Sequence, residues 1–320
     1  MLLFVATLLA ASQATAQDRQ VYAWATSGAA RAAADQWTNS TWAGVFDGVQ
    51  ASCGVAFEPN SSRLAVNESI FQECRPLLEA VHATGGQFHV WIGAVPTNAS
   101  GHALGVEDAI ASARAIADEL GIDGFSMDDE TDCAPRSTLG RFADWMGFVD
   151  AFADGLHAHA PRLHLSAAVQ AMFGIEDVAY APACEPPESP ECSQACSKAP
   201  WEYAPDARVA ALMANSSLDR WLEMDTYYFG TSRFVDALDW YARAVPVDQL
   251  GAAVMNRDDI SQDGYVARFH ALNRSGANWL NIFLLPAADA WLPWVRRWKT
   301  RCAACPNAGA LSCYEPGLDC

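Results

Sequence analysis

The chain has 320 residues, a net charge of −18 and 51% hydrophobic residues. That length suits one large domain or two small ones. A surface so acidic repels phosphate backbones and anionic lipid, which sets nucleic acid and membranes aside as partners and leaves neutral or cationic ligands.

Residues 1–16 read as a secretory signal, with an apolar core from Leu2 to Ala11 and a small-x-small exit at Ala14-Thr15-Ala16. That core is too short to span a bilayer, and no later run reaches the roughly twenty apolar residues required. Ten cysteines, all beyond the signal, suit an oxidising compartment. Asn39, Asn60, Asn67, Asn98, Asn215 and Asn273 each head an Asn-x-Ser/Thr glycosylation sequon. Together these predict a secreted protein, or one of the lysosomal or vacuolar lumen; a monomer is expected.

Residues 21–25 make a first strand, and the apolar stretch 44–57 holds a second that ends near Cys53. A helix over 69–83, with Ile70, Leu77, Leu78 and Val81 on its buried side, breaks at Thr84-Gly85-Gly86 before a third strand over 87–94. A second helix over 106–120 stops at Gly121, a residue free to turn left-handed, and leads into a fourth strand. A long helix over 138–159 ends before Pro161, and 164–169 is the fifth strand. The proline- and cysteine-rich stretch 182–200 reads as loop. Strands then fall at 221–229, 250–255 and 279–285, alternating with helices at 233–244, 264–273 and 287–298. Such alternation specifies a parallel sheet, and eight units in about 280 residues specify a closed (β/α)8 TIM barrel over 17–300.

Cys302, Cys305, Cys313 and Cys320 make 301–320 a disulfide-stapled tail in preference to a zinc knot. Cys53, Cys74, Cys133, Cys184, Cys192 and Cys196 supply three further bridges of open connectivity. His157 and His159 stand two apart on a helix and do not suit a shared metal.

The fourth strand carries Asp123-Gly124-Phe125-Ser126-Met127-Asp128-Asp129-Glu130. Alternation puts Ser126, Asp128 and Glu130 on one face and Phe125 and Met127 on the other. Two carboxylates together at the carboxyl end of a buried strand are costly unless they perform a task. The competing reading is a polar loop that begins at Asp128.

This segment resembles the Asp-Gly-x-Asp-x-Asp-x-Glu pattern of the family 18 glycoside hydrolases, the chitinases and chitobiases, with Ser126 in place of the middle aspartate. The resemblance implies a retaining, substrate-assisted hydrolysis that needs no cofactor and no metal. Glu130 would protonate the glycosidic oxygen, and Asp128 would hold the 2-acetamido group that attacks its own anomeric carbon. Ser126 hydrogen-bonds but carries no charge, so reduced or retuned catalysis is expected.

Met224-Asp225-Thr226-Tyr227-Tyr228-Phe229-Gly230 resembles the family's sixth-strand Met-x-Tyr-Asp segment. If Glu223, Asp225 and Tyr227 face the cleft, Tyr227 clamps the acetyl oxygen; the opposite parity makes Tyr228 the cleft phenol. Phe283 falls near the family's eighth-strand tryptophan, with Trp279 close in sequence. The short link between strands seven and eight implies a shallow cleft. The substrate implied is an oligosaccharide of β-1,4-linked N-acetylglucosamine, either chito-oligosaccharide or the chitobiose core of N-glycans. Two alternatives stand beside it: a catalytically weak, lectin-like barrel, and a barrel glycosidase of another family pairing Glu130 with a nucleophile such as Asp258 or Glu223.

Overall fold

The computed structural model describes residues 19–39, 42, 44–129, 139–169, 207–223, 231–255, 262–283 and 292–300. In chain order these form β1 (Gln20–Thr26), α1 (Ser27–Asn39), β2 (Gly48–Ser52), β3 (Val55–Phe57), β4 (Leu64–Val66), α2 (Glu68–Ala83) and β5 (Gln87–Gly93). Next come α3 (Glu107–Leu120), β6 (Gly124–Asp129), α4 (Leu139–His159), β7 (His164–Val169), α5 (Ala207–Ala214) and β8 (Arg220–Glu223). The chain continues through α6 (Thr231–Ala244), β9 (Leu250–Met255), α7 (Gln262–Ser275), β10 (Trp279–Phe283) and α8 (Leu292–Thr300). Strands β1, β2 and β5 to β10 pair in parallel, and β10 closes the ring against β1. This is a (β/α)8 TIM barrel, as the alternation of elements predicts.

Strand alternation divides the side chains. Val21 and Ala23 of β1, Val49 and Ala51 of β2, Phe88 and Val90 of β5, and Phe125 and Met127 of β6 join one continuous apolar core with the helices. Helix α2 starts at Asn67, whose side chain accepts the Ile70 N–H, and presents Phe71, Cys74, Leu77, Leu78 and Val81 to that core. Helix α3 ends on Gly121 with φ 71°, the left-handed cap that the sequence predicts.

The strand expected within 44–57 ends beside Cys53, as the sequence predicts. β2 ends at Ser52, Gly54 takes φ 76°, and the chain turns into the antiparallel hairpin of β3 and β4. Cys53 at that corner is bonded to Cys74 of α2. Helices α1 and α5 are additions to the expected elements. Helix α1 buries Ala30, Ala33 and Ala34, residues too weakly apolar to mark a helical stripe in sequence. The signal at 1–16, the loop 182–200, the tail 301–320 and the cysteines of those segments lie outside the described residues.

The amino-terminal end of the barrel repeats one device three times. Asp47, Asp123 and Asp219 each stand just before a strand, and each accepts the N–H of the second residue of the strand alongside: Val21 at 2.8 Å, Phe88 at 2.9 Å and Leu165 at 2.8 Å. Each also meets a basic side chain: Lys299 at 2.7 Å, His82 at 2.8 Å and His157 at 3.0 Å. Carboxylates so engaged lock neighbouring strands in register.

Candidate active site

The barrel interior is layered, and its residues are identified by contacts that cross it. At the amino-terminal end Tyr22 stacks on Trp279 at 4.1 Å, and His89 lies 5.0 Å from Tyr22 and 5.6 Å from His164. The Arg220 guanidinium covers the Trp279 ring at 5.0 Å. Glycines make room for these rings: a Cβ on Gly48 would stand 2.5 Å from Tyr22, and one on Gly124 would stand 3.0 Å from His89.

The titratable rings of this layer are held neutral. Burial, aided by the nearby His164, pushes the His89 imidazole down to about 3. Burial likewise raises the Tyr22 hydroxyl far above its ordinary value. Burial would also raise the Asp219 carboxyl, but hydrogen bonds from His157, His164 and the Leu165 N–H outweigh it and hold the group below the usual carboxylate range.

Above the rings lies a neutral polar layer. Asn281 of β10 donates from Nδ2 to Gln50 Oε1, Gln50 Nε2 donates to Ser166 Oγ at 2.9 Å, and Ser166 Oγ donates to Ser126 Oγ at 3.1 Å. All four side chains are buried. Gln50 belongs to β2 and Ser166 to β7, strands that are not neighbours, so this bond spans the barrel. Ser126 therefore faces inward, and Asp128, two residues further along β6, shares its face.

The carboxyl-terminal layer is the mouth. Asp128 is half-buried there, and the half-buried Trp24 and Phe283 stack at 4.3 Å on the adjacent strands β1 and β10. Trp91 of β5 is the register partner of Ser126, next to an irregularity in the β5–β6 pairing. Its inward parity follows from His89, two residues earlier, which faces the interior rings. A carboxylate facing aromatic surfaces at the carboxyl end of a TIM barrel occupies the position where such folds carry chemistry.

The residues singled out from sequence distribute as follows. Ser126, Asp128 and Phe283 reach the upper interior together. Trp279 does not: four residues before Phe283 and only 1% exposed, it lies in the ring layer at the opposite end of β10, out of reach of a ligand entering at the mouth. Glu130, Asp225, Tyr227, Tyr228 and Asp258 lie outside the described residues, as does the Glu223 side chain. Asp123, the first residue of the matched pattern, belongs to the register device at the amino-terminal end. Trp24, Gln50, Trp91, Ser166 and Asn281 join the site from structure alone. Their only sequence signal is an inward parity on strands that sequence reading treats as core. Among the described residues no cluster of three or more His, Cys, Asp or Glu side chains is disposed to hold a metal ion.

No family model and no curated protein matches the sequence. The fold, by contrast, is similar to solved chitinase structures. A mutant plant class V chitinase from Cycas revoluta in complex with (GlcNAc)3 superposes with a TM-score of 0.60 at 11% identity, over 88% of this chain and 99% of that one. The class V chitinase from Nicotiana tobaccum gives 0.57 at 11% identity, over 89% and 98%. A family 18 chitinase from Pseudoalteromonas aurantia gives 0.54 at 12% identity, over 87% and 99%. At such identity the likeness is one of fold.

Proposed function

We propose that the chain is a chitinase-like glycosidase that hydrolyses β-1,4-linked N-acetylglucosamine with retention of configuration, Glu130 serving as acid and base and Asp128 as the group that holds the 2-acetamido function. The observation that carries this reading is the inward projection of Asp128 at the carboxyl end of β6, in a barrel whose fold is shared with chitinases. The two-residue alternation of the sequence, which puts Glu130 on the face of Asp128, is the reason for pairing the two. The aromatic pair of Trp24 and Phe283 supplies the flat apolar surface on which a pyranose ring rests. Secretion through the signal at 1–16 and glycosylation at the six sequons belong to the same proposal.

The test is kinetic. Glu130→Gln abolishes cleavage of a fluorogenic chitobioside while leaving the melting temperature unchanged; turnover equal to that of the unaltered protein refutes the assignment.

One observation favours a second reading, a lectin-like barrel that binds without cleaving. Ser126, in place of the pattern's middle aspartate, sits in an uncharged network and offers Asp128 no second carboxyl group. Binding of the same sugars with no product after long incubation decides for it.

A further inference from the structure

The barrel divides the glycosylation sequons between its two ends. Asn60 and Asn67 lie in the connection from β2 to α2, and Asn98 in that from β5 to α3. All three therefore stand at the carboxyl-terminal face, where the mouth opens. Asn215 follows the last residue of α5 and Asn273 lies in the last turn of α7, at the opposite end. The Asn39 side chain lies outside the described residues.

The side-chain atoms divide in the same way. An N-linked sugar is joined through Nδ2, and Oδ1 keeps its lone pairs. Asn67 is held through Oδ1, which accepts the Ser69 hydroxyl at 2.7 Å and the Ile70 N–H at 3.4 Å. Asn98 is held through Oδ1 as well, which accepts the N–H groups of Ser100 at 2.9 Å and His102 at 3.1 Å. A sugar on Nδ2 leaves those bonds in place. Both residues are exposed, as is Asn60 in the loop between β3 and β4. Asn215 is built the other way round: its Nδ2 turns back on α5 and donates to Ala211 O at 2.6 Å. Asn273 is half-buried, with Oδ1 shielded from solvent. Sugar is added while the chain is still unfolded, so the fold acts afterwards. A chain whose sugar stands where the fold buries the carboxamide, or packs Nδ2 against a helix, is not released in folded form.

We infer that the folded, secreted protein carries N-linked sugar on Asn60, Asn67 and Asn98, along the β2 and β5 side of the mouth, and none on Asn215 and Asn273. This narrows the glycosylation proposed for all six sequons. It rests on the secretory reading of residues 1–16 and is independent of the glycosidase one.

The test is glycopeptide mass spectrometry on the full chain secreted from a eukaryotic host, which reads any sugar on each sequon, a single N-acetylglucosamine included. Sugar is expected on Asn60, Asn67 and Asn98 and absent from Asn215 and Asn273. Ser69→Ala, which destroys a sequon without touching the capping oxygen, is expected to remove the sugar of Asn67 alone. Sugar on Asn215 or Asn273 at the level of Asn60 overturns the inference, as does a bare Asn60, Asn67 or Asn98. Amino-terminal sequencing separates the two ways of failing. Bare asparagines on a secreted chain that begins beyond Ala16 overturn the inference alone, and a chain kept in the cell with residues 1–16 intact overturns the secretory reading with it.

Discussion

Trp24 and Phe283 stack face to face, ring centroids 4.3 Å apart and planes inclined by 27°, at the seam where the last barrel strand meets the first. The contact joins residues from opposite ends of the chain into one aromatic surface at the mouth. Loss of either ring removes stacking area and loosens the other. Trp24→Ala and Phe283→Ala are each expected to weaken chito-oligosaccharide binding by about tenfold, equivalent to about 1 to 1.5 kcal/mol. Phe283→Trp, which enlarges the face, should hold or tighten it. Titration calorimetry with tri-N-acetylchitotriose reads the difference, and unchanged affinity in both alanine variants removes the platform from the site.

Asp123 opens the motif, yet its carboxylate accepts the Phe88 N–H and pairs with His82 at the far end of the barrel from Asp128. Asp123→Ala therefore acts on stability, costing about 2 kcal/mol through the orphaned strand N–H and the lost pair. Urea denaturation should show that loss, while kcat/KM of the folded fraction stays within a factor of two. A selective fall in kcat would place Asp123 in the chemistry instead.

The bond between Cys53 and Cys74 spans a sequence separation of 21 and ties the corner after β2 to α2. Removing it by the double change Cys53→Ala and Cys74→Ala frees that loop in the unfolded chain, at a cost of about 3 kcal/mol. Thermal melting of the double variant in buffer without reductant measures the effect. An unshifted transition would show that the hairpin holds its place without the bond.

His89 contributes to the acid side of the stability curve. Its folded value of about 3 lies below the ordinary 6.5, so between those values the unfolded chain binds a proton that the folded chain refuses. Stability from this group is complete above pH 6.5 and is lost as pH falls, by roughly 1 kcal/mol per pH unit. His157 works in the opposite sense. Its hydrogen bond to Asp219 raises its value, so its contribution is complete below pH 6.5 and fades as pH rises through the folded value. His89→Phe should flatten the decline between pH 6.5 and 4.5 in denaturant titrations, and His157→Gln should lower stability more at pH 6 than at pH 8.5. A His89→Phe curve parallel to that of the unaltered protein would contradict the buried neutral imidazole.

Sequence by itself determined the class of fold and the position of the motif within it. Strand and helix periods differ so strongly that the alternation from β5 to β10 is readable but for α5, and Gly121 marks the end of α3 through its backbone freedom alone. The shared face of Ser126 and Asp128 follows from the same two-residue period. The hairpin of β3 and β4 beyond the left-handed Gly54 went unread, because strands of three residues are too short to show a period.

Tertiary structure alone decided which inward residues meet. Gln50 reaches Ser166 across 116 positions of sequence, and Phe283 finds Trp24 only because the barrel closes. Whether an aromatic belongs to the base or the mouth depends on its height along a strand measured against its neighbours. That register, set by the pairing of β1 with β10, separates Trp279 from Phe283, two rings that local sequence places side by side. The physical reason is that alternation fixes direction within one strand, while depth in a barrel is a property of all eight strands together.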